Sequence, residues 1–186
     1  HNHARLWLAG VICNMARTHW YEPARWFHYH LLDGDLASNT LSWQWVAGTF
    51  SHKVYLANQA NINKFSSVSE HDTWLDVPYE DFENFPIPEV LEQRTQWQLA
   101  EALPAELDTL LPGKPVGVLD GSVAIFSMWQ LDPSWQPDVS TRILFLDTDW
   151  HRQWPMSPKR WQLIGHWAES LGLDIVHGTV DELRQA

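Results

Sequence analysis

Residues Leu31 to Gly48, LLDGDLASNTLSWQWVAG, decide how the rest of the chain is read. Gly34 breaks the helix that arrives from upstream, and the aspartates on either side of it are good first caps for the helix that follows. Continued to about Ala47, that helix carries Asp35, Asn39 and Trp43 at i, i+4 and i+8, on one face. Gly48 suits the position just past its end. A carboxylate, an amide and an indole in such a row can meet a flat heteroaromatic ring. The carboxylate accepts an imide N–H, the amide donates or accepts, and the indole lies within electron-transfer range. The same pattern also fits a buried aromatic helix whose aspartates only cap its start.

Outward from this stretch, residues 1 to about 16 read as a helix with Leu6, Ala9, Ile12 and Cys13 along one side. Thr18 to Glu22 is a connector, and Pro23 suits the first turn of a second helix, PARWFHYHLLD. From Thr49 to Lys64 the chain turns polar, and Asn58, Gln59, Asn61 and Asn63 favour turns. Ser66 to Pro88 is acidic and proline-bearing, a linker or surface loop. Pro88 to about Leu111 reads as helical, broken by Pro104, and Pro112-Gly113 is a boundary. Beyond it the period changes. Val116–Leu119 and Arg142–Leu146 are short strand-type runs, Pro158–Leu171 is an amphipathic helix, and Leu173–Val176 is another strand candidate. Glu182 lies in a final short helix, so the tail reads as a small α/β unit with parallel pairing. The expected architecture is mainly α, in three parts: helical residues 1–65, an acidic linker and helical extension over 66–112, and the α/β unit over 113–186.

Composition sets the outer bounds. At 186 residues and 45% hydrophobic content the chain can bury one good core or two small ones. Thirteen tryptophans suggest stacking surfaces or redox relays, with Trp-rich helical packing as the alternative. A formal charge of −11 argues against nucleic-acid binding by the whole surface and leaves room only for a narrow contact. Cys13 has no partner for an internal disulfide, which fits a reducing, cytoplasmic setting. No apolar run approaches a membrane span. The pairs His1/His3 and His28/His30 stand at i, i+2, which points them to different helix faces and makes a poor chelate, so no metal is expected. Asp147-Thr148-Asp149 after ILFL reads as a strand-end turn.

The wording LLDGDLASN followed by SWQWVAG resembles the flavin-binding core of the DNA photolyase/cryptochrome family. The flanks agree: HNHARLW is similar to the family's HNRxRM, and NQANINKF to its Asn-rich, Lys-aromatic segment. The resemblance covers about residues 1 to 65 and implies a photolyase-type helical FAD-binding segment, the C-terminal part of that domain, with FAD as cofactor. The family's DxxGxYIRxWxPEL passage is not found after it. A second, weaker resemblance joins PKRWQLIGHWAESLGLDIVHGTVDEL to the family's α/β antenna domain, which in the family precedes the helical one.

Carried over residue by residue, the resemblance implies FAD contacts from Asn2, Arg5, Asp33, Asp35, Leu36, Asn39 and Trp43. Arg5 and Asp33 would pair beside the flavin ring, where a guanidinium stabilises the reduced ring. A structural helix–helix ion pair is the other reading of those two. Asn39 matches the position facing flavin N5, where photolyases carry Asn. Trp43 and Trp20 match the proximal and middle members of the electron-transfer chain, and core packing is their other reading. Asn2, His3, Leu6 and Trp45 occupy places that line the cavity for a flipped-out pyrimidine dimer. Trp45 keeps the stacking aromatic, whereas His3 replaces an arginine and Leu6 a methionine.

The function implied is light-driven electron transfer from reduced FAD that splits pyrimidine dimers in damaged DNA. Two other readings stay open: a cryptochrome-like blue-light receptor without repair, and a helical remnant that holds no flavin. The chain opens in the middle of a motif, so a missing N-terminal part of a parent protein is expected. With that part goes the family's FAD-phosphate cradle, and this chain alone is expected to bind FAD weakly or not at all.

Overall fold

The computed structural model describes residues 2–50, 53–93 and 113–186. Their contacts divide the chain into two units: His1–His28 with Gly34–Trp97, and Tyr29–Asp33 with Gln98–Ala186. The expected helix beyond residue 93, with Pro104 and Pro112, lies outside the described residues.

The first unit is helical. Helices α1 (Asn2–Gly10), α2 (Tyr21–His30), α3 (Leu36–Val46) and α4 (Gln59–Phe65) are joined by irregular chain, and α1 widens into a π-turn over Val11–Met15. The stripe read from the sequence is the one buried: Ala9 and Cys13 join Ala24, Trp43 and Val46 in the core, with Leu6, Ile12, Trp20 and Phe27 against it. Burial pushes the Cys13 thiol up to about 11, so it packs as a neutral side chain at neutral pH. Asn14 clips the far end of α3 in place, its Nδ2 donating to the carbonyls of Val46 (3.0 Å) and Tyr55 (2.7 Å).

Both ends of α3 follow from local sequence. Asp35 accepts the Ser38 N–H at 2.6 Å as N-cap. At the other end Gly48 sits at φ 72°, while the Gly48 and Thr49 N–H groups return to the carbonyls of Trp45 and Gln44. That is a Schellman close, which requires the left-handed residue glycine supplies.

Helix α4 was not expected; its stretch reads as turns. The asparagines that suggest turns are instead spent on a cap and on tertiary bonds. Asn58 caps α4 through the Asn61 N–H (2.9 Å) and donates to the Val77 carbonyl (3.1 Å). Gln59 holds Asn63 and Thr73, so the loop of residues 66–77 folds back onto α4. Two 3₁₀ turns, Tyr79–Asn84 and Glu89–Leu91, follow it.

The second unit is a four-stranded parallel sheet in the order β1-β4-β3-β2, built from β1 (Lys114–Pro115), β2 (Val123–Phe126), β3 (Thr141–Asp147) and β4 (Asp174–Gly178). Helices α5 (Thr148–Gln153) and α6 (Pro158–Leu171) link β3 to β4, and α7 (Val180–Gln185) follows. Phe126, Leu144, Leu146, Met156, Trp161 and Ile164 form the core between sheet and helix. Pro158 opens α6 at its first turn, and Gly172, at φ 63°, closes it. Two expectations shift. The strand looked for at Val116–Leu119 is Lys114–Pro115, with only the Val116 N–H bonded on to His177, and the Asp147 turn is an N-cap that starts α5. Among the described residues no helix is long and apolar enough to cross a membrane.

Arg160 of α6 is 1% exposed, and burial pushes its guanidinium down to about 10 while the charge of Asp33 pulls it up. At neutral pH it is still a cation, and Asp33 offsets part of the cost of burying it. Asp33→Asn is therefore expected to lower the thermal midpoint of this unit more than Arg160→Met, which removes the buried charge itself. Asp33 is exposed, so the Asp33→Asn loss is held to about 1 kcal/mol and should shrink in high salt. Melting curves of both variants at two salt concentrations check the order.

Candidate functional site

Helix α3 organises the site residues of the first unit. Along its face burial deepens from the N-cap inward: Asp35 is exposed, Asn39 is 8% exposed and Trp43 2%. One oxygen of Asp35 is used by the cap, and Asn39 Nδ2 donates to the Ala24 carbonyl at 2.9 Å. Among the described residues the other oxygens, Asp35 Oδ2 and Asn39 Oδ1, accept no hydrogen bond. Two acceptors one helical turn apart can each receive an N–H from a ring laid across this face. Leu36 is half-buried one residue past the cap.

Trp43 is deeper. Its indole meets the Phe27 ring edge-on, centroids 5.7 Å apart, inside the core of the unit. Trp20 packs against the same core and also forms part of the wall of a groove of about 690 Å³, together with Cys13, Arg17 and His19. The two tryptophans assigned to electron transfer are thus brought into one cluster, one sealed and one at the groove. Arg17, at φ 52°, donates to the Phe85 carbonyl at 3.1 Å across that groove's rim.

Arg5 is half-buried on α1, in the first unit, and Asp33 belongs to the Tyr29–Asp33 segment of the second, where its charge bears on Arg160. Asn2 is exposed at the start of α1, and Leu6 packs against the core. His3 lies between the rings of Trp7 (6.0 Å) and Phe65 (4.7 Å), stacked on both. Trp45, 41% exposed, leans on Tyr55 with centroids 5.5 Å apart. Sequence reading missed Trp7, Tyr55, Asn61 and Phe65 as members of this surface. The only local signal was the aromatic that ends NQANINKF.

The cap that Asp35 makes and the ring contact the resemblance implies for it make separable demands. Asparagine also caps well, so Asp35→Asn is expected to keep the wild-type melting curve yet weaken FAD binding, because its side chain loses the negative charge and half its acceptors. Asp35→Ala should lose both, the helix end costing about 1 kcal/mol. Circular dichroism melts and FAD titrations of the two variants read this.

Comparison with known proteins falls on the same segment. Residues 1–75 match the family described as the FAD binding domain of DNA photolyase. The chain is 49% identical over 49 residues to a deoxyribodipyrimidine photo-lyase of Streptomyces griseus, covering 26% of this chain and 11% of that protein. It is 39% identical over 49 residues to a deoxyribodipyrimidine photo-lyase of Agrobacterium fabrum (strain C58 / ATCC 33970), covering 26% and 10%. The matched stretch thus spans about a tenth of each relative. No solved structure matches. The match indicates FAD as the cofactor of this segment, at the N-terminal end of the chain.

Proposed function

We propose that this chain carries the flavin-facing part of a photolyase-type flavoprotein that splits pyrimidine dimers in DNA. The reading is carried by one observation: α3 leaves an acceptor on Asp35 and another on Asn39 beside a buried Trp43. FAD, when bound and reduced, supplies the light-excited electron that opens the cyclobutane ring; no net redox occurs. The residues do the rest. Asp35 Oδ2 and Asn39 Oδ1 would orient the ring by accepting its N–H groups, and the core around Trp43 would exclude water. Trp43 and Trp20 link that face to the groove for electron supply. Trp45, with an exposed indole, stacks on the extruded pyrimidine dimer.

A receptor without repair is the second reading. It is favoured by His3, whose ring is already stacked on both Trp7 and Phe65 where the resemblance implies an arginine for the lesion. The deciding experiment gives the chain excess FAD and a reductant, then illuminates it with a single-stranded oligonucleotide holding one thymine dimer. Restored thymines support repair. Bound flavin with an intact dimer supports photoreception, and no bound flavin at the highest FAD concentration supports the helical remnant that holds none.

A further inference from the structure

Six side chains outside the row Asp35, Asn39 and Trp43 form one connected surface, five of them aromatic rings. Asn61 of α4 is its centre: Oδ1 accepts from Trp7 Nε1 at 2.9 Å and from Tyr55 Oη at 3.4 Å. Burial raises the Tyr55 pKa, so its hydroxyl remains a donor at neutral pH. From Asn61 the surface runs two ways. One arm is Tyr55 and then Trp45, whose rings lie 5.5 Å apart at 37°. The other is Trp7, His3 and Phe65, stacked nearly parallel at 16° and 21°. Each arm ends on an exposed ring, Trp45 at 41% and Phe65 at 46%.

We propose that Phe65 is a second base-stacking side chain for single-stranded DNA, paired with Trp45, and that Asn61 is the positioning residue that ties the two arms together. This rests on the DNA-directed reading above. Phe65 and Asn61 are four residues apart on α4, so one helix face carries both. Lys64 Nζ lies over the Phe65 ring, 5.2 Å from its centre, and would swing from that face to a phosphate as a base takes its place. Charge favours this end of the chain. Residues 1–65 hold five Lys/Arg against three Asp/Glu, whereas the remainder holds seven against twenty. The acidic loop of residues 66–77 meets α4 at Asn63, through Glu70, so Lys64 offers the positive charge by which a polyanion would approach the Phe65 end. A buried stack would need no open ring at either end; here both ends are open to solvent.

The test uses the full chain and an undamaged oligothymidylate with one internal 2-aminopurine, whose fluorescence falls when the base stacks. The wild type is expected to bind and quench. Phe65→Leu should bind about tenfold more weakly and lose most of the quenching, and Phe65→Trp should recover both. Asn61→Asp keeps the acceptor oxygens and should match the wild type, while Asn61→Leu should quench less although Trp45 and Phe65 are intact. Melting curves of these four variants and of Trp45→Leu verify folding. If Phe65→Leu binds and quenches like the wild type while Trp45→Leu does not, the second stacking position is wrong and the photolyase-type reading is untouched. If the wild type binds neither this oligonucleotide nor one holding a thymine dimer, both fail together.

Discussion

Trp43→Phe is expected to leave the helical unit folded and yet abolish light-driven reduction of bound FAD. Phenylalanine refills most of the space beside Phe27, so the stability loss stays at roughly 1–3 kcal/mol. Its ring is far harder to oxidise than indole, so the link toward Trp20 is cut. Trp43→Ala separates the two roles of the residue. At 2% exposure the deleted indole leaves a void among Ala9, Cys13, Ala24 and Val46, and the cost is about 3–5 kcal/mol. If Trp43 were packing alone, Trp43→Phe would photoreduce like the wild type. Illumination under a mild reductant, followed by the visible flavin spectrum, distinguishes the cases.

Trp161→Ala should produce the largest loss in the second unit, again about 3–5 kcal/mol, because the residue is fully buried at the centre of its core. The more informative variant is Trp161→Phe. Its indole Nε1 is buried and has no hydrogen-bond partner among the described residues, while the ring meets His151 edge-on at 4.8 Å. Removing an unsatisfied donor offsets about 1–3 kcal/mol of the lost packing. Trp161→Phe is therefore expected to fall within roughly 1 kcal/mol of the wild type in urea melts, despite the smaller ring. A loss as large as that of alanine would mean that a water or another group satisfies the indole.

What could be read from the chain divides by the range of the interactions. Helix α3 was legible because Asp35 and Gly48 mark its ends within two residues, and α6 because Pro158 and Gly172 do the same. Helix α4 was not, since Asn58 and Gln59 behave locally like turn residues and show their role only against Val77, Leu75 and Thr73. Strand β2 is four residues long with Ile125 exposed, too short to announce a period. The row Asp35, Asn39 and Trp43 was visible because one helix and its cap carry it. The aromatic surface was hidden because its central bond, Trp7 to Asn61, spans 54 positions.

The row Asp35, Asn39 and Trp43 is most directly tested by FAD fluorescence during titration with the purified chain. An isoalloxazine seated on this face beside an indole should be strongly quenched. A double variant, Asp35→Asn with Asn39→Leu, should abolish that saturable quenching, and Trp43→Phe should bind yet stay bright. Equal quenching by the double variant would contradict the assignment, and unquenched flavin at every concentration of wild type would leave the helical remnant that holds none.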